Sequence, residues 1–370
     1  MSKYDIAAYI WPAYTGQELR TRIFWPDGIG EWQTVKLTHK NEAENYEWNR
    51  KPLWGYVDEA DPEVMEMQIE EAVKHGVNVF IYDWYWYDDR PFLENCLNDG
   101  FLKASNCNKM KFYLMWANHD ATYCWDHRIS SESETVVWRG DVTQEQFYKI
   151  GRRWIDQYFK LDNYYKVDGM PLVSIYDLGN FIKGLGGIDR AKESMDWLRT
   201  EAQKAGLPGV HFQLIKWGEQ TLNLSGVDGG EKTVDPALVE PMGFDSLTHY
   251  QIAHFTDVNR DYQEITEDMK MEWDQVIHTY HIPYSPHVSV GWDNNPRYKQ
   301  FRPQIVKNNT PENFEKALRA VKAFTDANCK FPLITINSWN EWTETSYLEP
   351  DDLYGYGYLE AVRKVFVENE

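Results

Sequence analysis

The chain is short of the features that mark several large classes of protein. Cysteine is scarce: Cys96, Cys107, Cys124 and Cys329 are the only four in 370 residues, and none stands in a CxxC or other zinc-type spacing. Buried free thiols are therefore the expectation, rather than a disulfide scaffold. No apolar run approaches the ~18 residues that a membrane span needs. Basic residues are outnumbered, with 38 Lys and Arg against 58 Asp and Glu and a net charge of −20. Phosphate recognition needs clustered Lys and Arg, so nucleic acid and anionic membranes are not expected partners. Charge of this sign reads as a device for solubility. No signal peptide is visible before the first strand pattern, which predicts a cytoplasmic location. Linkers, low-complexity tracts and internal repeats are also missing. One catalytic domain over residues 1–370 is expected, a length that a single α/β barrel accommodates.

Aromatic residues, by contrast, are plentiful: 17 Trp, 24 Tyr and 16 Phe, in a chain that is 42% hydrophobic. Trp and Tyr combine a flat apolar face with a polar tip. Pyranose rings present apolar C–H faces edged by hydroxyls, so the composition suits a sugar site as well as a large core.

Eight short β-rich runs recur along the chain: Asp5 to Trp11, Asn78 to Trp84, Lys111 to Ala117, Leu172 to Tyr176, His211 to Ile215, Ser246 to Tyr250, His287 to Val290 and Leu333 to Asn337. They are mostly apolar, as strands buried on both faces should be. Helical patterns separate most of them: Pro62 to His75, Thr143 to Leu161, Asp189 to Lys204, Val258 to Tyr280, Pro311 to Ala327 and Leu359 to Val367. The first opens with Pro after Asp61 and closes before Gly76, a start and a stop signal in the expected order. The connection after the fifth run is Gly-rich, and no helix is assigned there. Eight strands alternating with helices predict a single (β/α)8 TIM barrel with long βα loops. The first strand is followed by Trp11-Pro12-Ala13-Tyr14 rather than a phosphate-cradling glycine pattern, which argues against dinucleotide binding. The long stretch Thr15 to Gly55 has the length of a functional loop.

Barrel chemistry gathers at the C-terminal strand ends. Those positions are enriched in aromatic and hydrogen-bonding residues: Tyr82, Asp83 and Trp84; Trp116, Asn118 and His119; Trp217; Tyr250; Trp292 and Asp293; and Asn340 with Glu341 and Glu344. A purely structural protein has no reason to enrich one rim in this way. Glycoside cleavage needs one group to protonate the leaving oxygen and another to supply or activate a nucleophile. Carboxyls serve because burial can raise one pKa while its neighbour stays ionised. Glu341 and Glu344, three apart, would share one face of a helical turn, their Cβ atoms roughly 5–6 Å apart. The spacing is common on solvated helices, but placement after the eighth strand between Trp339 and Trp342 singles it out. Asp83, Asp120 and Asp293 could equally anchor loops. Glu31 could orient the long first loop, and His119 reads as a hydrogen-bonding wall residue. No His pair or mixed cluster suggests a metal, and no cofactor is expected.

At this level of detail the chain resembles the WbsX-like group, related to glycoside hydrolase family 99. Gly30-Glu31-Trp32-Gln33-Thr34-Val35, Phe80 to Tyr87 followed by Leu93-Glu94, Trp116-Ala117-Asn118 with Trp125 further on, Gly291-Trp292-Asp293-Asn294-Asn295-Pro296-Arg297 and Ile336 to Pro350 match its motifs in order. The resemblance implies a (β/α)8 barrel and retaining cleavage of an α-linked glycan. It also implies roles: Glu341 would assist the sugar's own 2-hydroxyl as internal nucleophile, and Glu344 would act as acid and then base. Tyr82, Trp84, Trp116, Trp217, Tyr250 and Trp292 are then expected to stack on or shape the substrate, and Asp83, Asn118, His119, Asp293 and Asn340 to bind its hydroxyls. Three departures stand out. Gly30 replaces a Thr, the first loop lacks a Glu-Asn-Asp run, and Thr345 stands where the pattern has Gly, which predicts a backbone without easy access to positive φ. Two other readings are kept, a glycosyltransferase of surface polysaccharide synthesis and a non-catalytic carbohydrate-binding barrel. The oligomeric state is left open.

Overall fold

The computed structural model describes residues 3–38, 46–130 and 134–368. Eight parallel strands form the barrel: β1 (Asp5–Ile10), β2 (Val79–Tyr87), β3 (Lys111–Trp116), β4 (Met170–Ile175), β5 (His211–Ile215), β6 (Ser246–Thr248), β7 (His287–Ser289) and β8 (Leu333–Asn337). Each pairs with its neighbour in chain order except β6 and β7, and β1 pairs with β8 through Asp5↔Leu333 to Ala8↔Ile336. The last seam is narrow. Leu247 bonds the segment leading into β7 through its amide to Pro283 O (2.9 Å) and its carbonyl to Ser285 N (2.9 Å). All eight strands fall on the runs expected from sequence.

The helices α1 (Trp32–Leu37), α2 (Pro62–Lys74), α3 (Gln144–Trp154), α4 (Leu178–Leu185), α5 (Ile188–Lys204), α6 (Pro236–Met242), α7 (Tyr262–Thr279), α8 (Pro311–Asn328) and α9 (Gly357–Phe366) accompany them. Their starts follow local chemistry. Asp61 caps α2 by accepting from Glu63 N, with Pro62 at the first helical position. Thr143 and Gln146 form a reciprocal capping box on α3. The short α6, capped by Asp235, was hidden by the irregular Gly-rich connection after β5. Among the described residues no helix is long and apolar enough to cross a membrane.

The barrel interior is polar and internally bonded. Ser174 donates to Gln213 (2.8 Å), Thr248 and Thr335 share a hydrogen bond (2.9 Å), and His287 reaches both Thr335 and Ser289 (2.9 Å each). The apolar mass sits instead between strands and helices. Strand alternation sends Phe80, Tyr82 and Trp84 outward, and Ile81, Asp83 and Tyr85 inward. Tyr82 packs on Phe101 and Phe112, and Trp84 on Trp154 of α3. Trp116 packs on Phe147, Trp154 and Phe181. These three rings therefore belong to the layer beneath the helices, not to the mouth of the barrel. Trp116→Ala should cost about 3–5 kcal/mol of unfolding free energy, measured by denaturant titration, because it empties a closed aromatic cluster.

Candidate active site

The strand ends on one rim surround a pocket of about 270 Å³. β2 supplies Asp83 and Tyr85, its inward residues. β3 supplies Met115 and Ala117, and the turn beyond it supplies His119, Cys124 and Trp125. Tyr176, Trp217 and Tyr250 follow β4, β5 and β6, Arg297 follows β7, and Glu341 and Glu344 follow β8.

The β8 loop explains how the two glutamates meet. Asn340–Glu341 pairs antiparallel with Ser346–Tyr347, and the chain between them makes a tight 3-10 turn at Trp342–Glu344. Ser338 Oγ accepts from Glu341 N (2.7 Å) and donates to Ser346 O (2.6 Å), closing the loop from inside. Trp342 stacks on Tyr347 at 3.9 Å. The turn ends at Thr345 with φ of 53°, so the backbone does enter the left-handed region despite the β-branched side chain. This corrects the expectation from sequence, and the reason is local. Thr345 Oγ1 accepts from Trp48 Nε1 and donates to Asp293 O, both at 2.8 Å, which offsets a strain of about 1–3 kcal/mol.

Arg297 joins the pair. Its Nη2 donates to Glu341 Oε1 (2.7 Å), its Nη1 to Glu344 Oε1 (2.8 Å), and its Nε to Thr343 Oγ1 (2.8 Å). Glu31 lies behind, 3.6 Å from the guanidinium, accepting from Trp11 Nε1 (2.6 Å), Tyr14 OH (3.1 Å) and Thr343 Oγ1 (3.0 Å). On the far side, the Tyr250 hydroxyl lies within hydrogen-bond reach of Asp83 Oδ2 (3.0 Å) and Glu341 Oε2 (3.2 Å). Four buried carboxyl groups thus crowd one cation. Burial lifts the pKa of Glu341, Glu344, Asp83 and Glu31; Arg297 opposes the rise at the three glutamates, and the Tyr250 hydroxyl opposes it at Asp83. Such a cluster holds protons to a higher pH than free carboxyls do, and its members titrate as a unit. Asp83 Oδ1 and Glu344 Oε2 accept no hydrogen bond of ordinary geometry from the described residues. Both belong to residues that line the pocket. The arrangement can donate a proton, accept one, and hold a polar ligand between flat aromatic walls.

Of the residues expected at the site, Asp83, His119, Trp217, Tyr250, Glu341 and Glu344 line the pocket together. His119 forms wall, its pKa lowered by burial, and Trp217 is fixed by parallel stacking on His254 at 3.9 Å. Tyr82, Trp84 and Trp116 do not line it, for the alternation given above. Asn118 is spent on Asp177, accepting from its amide (2.7 Å) and donating to its carbonyl (2.8 Å). Asn340 does the same to Trp11, at 2.8 and 3.0 Å. Asp293 accepts from Tyr46 OH (2.7 Å) and Asn295, and its amide donates to Glu344 O (2.7 Å), so it braces the loop. Trp292 is half-buried beside it and also lies off the pocket lining. Arg297, Tyr85, Tyr176, Trp11 and Trp125 were not assigned to the site from sequence. Arg297 closes the Gly291-to-Arg297 motif, and Tyr85 follows Asp83 by two, the period of one strand face, so both carry a signal in the sequence. Among the described residues no group of three His, Cys, Asp or Glu is placed to hold a metal ion.

The fold and rim together define a (β/α)8 barrel with a carboxylate-rich pocket at the C-terminal strand ends. The solved structures it resembles include the GH99 endo-alpha-mannosidase from Bacteroides thetaiotaomicron, with a TM-score of 0.61, 15% identity, and coverage of 98% of this chain and 96% of that one. A "glycoside hydrolase-like protein" aligns with a TM-score of 0.57 at 14% identity, over 99% and 94% of the two chains. The family model described as "Glycosyltransferase WbsX" matches residues 6–362, and the chain belongs to that family. The protein WxcX of Xanthomonas campestris pv. campestris is 24% identical over 345 residues, 92% of this chain and 46% of its own length. The chain thus spans about half the length of the curated relatives it matches.

Arg297→Met should destabilise the fold by about 3–5 kcal/mol at pH 8, the cost of stripping the partner from buried charges. The glutamates' folded pKa values lie above their unfolded ones, so stability they confer is present at low pH and lost as pH rises through the folded values. Removing Arg297 raises those values further. The deficit, measured by urea titration across pH, should therefore shrink toward pH 4 and be largest above neutrality.

Proposed function

We propose that the protein is a retaining glycoside hydrolase acting on an α-linked oligosaccharide or polysaccharide, with Glu341 and Glu344 as its catalytic carboxyls. The observation that carries this is the pair itself, held on one guanidinium at the mouth of the barrel and walled by Trp11, Tyr85, Trp125, Tyr176 and Trp217. Glu341, bonded through one oxygen to the Arg297 guanidinium, would serve as the base in its ionised form. It would take the proton of the substrate's 2-hydroxyl as that oxygen attacks the anomeric carbon. Glu344, which lines the pocket, has one oxygen without an ordinary hydrogen bond and its pKa lifted by burial, and would protonate the departing glycosidic oxygen. In the second half Glu344 would take a proton from water as the water oxygen bonds to the anomeric carbon and the bond between that carbon and O2 breaks, and Glu341 would return its proton to O2. Asp83, whose Oδ1 has no hydrogen-bond partner among the described residues, would bind a sugar hydroxyl, and the aromatic walls would cover the ring's C–H faces.

A second reading, glycosyl transfer to an acceptor hydroxyl in place of water, is favoured by the description of the family model. Both readings use the same two carboxyls, so nucleotide-sugar dependence separates them.

The test is a mass-spectrometric screen of α- and β-linked oligosaccharides without nucleotide sugars. Wild type should cleave an α-linked member, and Glu341→Gln and Glu344→Gln should each be slowed by at least ~100-fold. Cleavage that survives in both variants would remove the carboxylate assignment. Product formed only when a nucleotide sugar is supplied would replace hydrolysis by transfer.

A further inference from the structure

Behind the pocket, on the side of the β8 loop away from the substrate, lies a second pair of carboxyls that the chemistry above does not use. Glu59, at the end of the long first loop, is fully buried, and Glu349, at the end of the β8 loop, is 3% exposed. Gln68 of α2 stands between them, its amide nitrogen donating to Glu349 Oε1 (2.9 Å) and more weakly to Glu59 Oε1 (3.3 Å). Each carboxyl grips a residue flanking Glu341. Glu349 Oε2 accepts from Trp342 Nε1 at 2.6 Å, and both Glu59 oxygens lie 3.0 Å from Asn340 Nδ2. Gln68 completes the frame by accepting from Trp339 Nε1 at 3.0 Å. Residues 339, 340 and 342 are therefore held from behind by one three-residue unit.

The titratable groups facing this unit are Asp58, Cys96, Tyr14 and Tyr82, none of them a cation. Two ionised carboxylates buried together without a counter-charge would cost several kcal/mol, so one should carry a proton. The donors differ in quality. Glu349 has a short indole bond and the better half of Gln68. Glu59 has a long contact to Gln68, an Asn340 amide already shared with Trp11, and a thiol 3.7 Å away at Cys96. The Cys96 thiol, set to donate to Glu59 Oε2, can turn its proton away and accept from a protonated Glu59, whereas any proton on Glu349 would face an N–H that cannot reverse its role. Burial raises Glu59 to about 7 and Glu349 well above the ordinary range, which calls for a retained proton on the pair but would place it on Glu349; the donor geometry alone places it on Glu59.

We propose that Glu59 and Glu349 are positioning residues that set the place of Glu341 through Asn340 and Trp342, with Glu59 neutral and Glu349 charged. The catalytic consequence rests on Glu341 being a catalytic carboxyl; the hydrogen-bonded frame does not. Glu59→Gln imitates the neutral acid and should be tolerated. Glu349→Gln presents an N–H to a donor and should not.

The experiment follows the indole N–H resonances of 15N-Trp-labelled full-length protein, with thermal melts, for wild type, Glu59→Gln and Glu349→Gln. The Glu59→Gln spectrum should keep the Trp342 and Trp339 signals near their wild-type positions and flatten their pH dependence. In Glu349→Gln one indole signal should shift strongly and the melting temperature should fall. Once a substrate is known, Glu349→Gln should lower kcat by about 100-fold, the scale of an ångström-sized misplacement, with little change in KM. The proposal is overturned if Glu349→Gln is tolerated as well as Glu59→Gln, or if Glu59→Gln is the more damaging of the two. These spectra and melts read the frame even if the glycosidase reading fails.

Discussion

One guanidinium among four buried carboxyl groups is the constraint on which the rest of this structure turns. Glu341, Glu344 and Glu31 cannot approach one another in a dry pocket without Arg297, and Arg297 could not be buried without them. Its own pKa is driven upward by the three glutamates, so it stays charged. The cluster is still short of positive charge, and that shortage keeps protons on carboxyls at a pH where free glutamate would have lost them. The upward shift of these carboxyls is thus a consequence of burial and the charge count, not of any one side chain.

The fold delivers this cluster by tying loops from distant parts of the chain to neighbouring strand ends. Asn118 and Asn340 each use a side-chain amide to mimic a strand partner, locking β3 to the turn after β4 and the β8 loop to the end of β1. The first loop brings Glu31 and Glu59 to the two sides of the β8 loop. Asp293 and Thr345 then fix the backbone of Glu344 to the segment that carries Arg297. Residues that looked like ligands for hydroxyls are largely the fasteners that make the pocket rigid, as a preorganised site requires.

The sequence was most legible where periodicity carries the information. All eight strands were readable because each is a short apolar run between helix signals, and the two glutamates because a Glu-x-x-Glu after the last strand falls on one turn. Reading failed where a side chain's direction mattered. Tyr82, Trp84 and Trp116 stand beside site residues in the chain, yet one step along a strand reverses the face. Arg297 was unread because its role appears only when three segments meet around it. Thr345 shows the same limit: its backbone conformation depends on hydroxyl bonds to Trp48 and Asp293, both remote in sequence.

Glu341 and Glu344 share protons as a unit, and that sharing is what the site's chemistry depends on. Carboxyl 13C NMR of glutamate-labelled protein, assigned with Glu341→Gln and Glu344→Gln, would follow them through pH. The structure predicts at least one resonance of the pair titrating well above the usual glutamate range, and a shift in the partner's titration when either is replaced. Two independent titrations near the ordinary value of about 4.3 would contradict it.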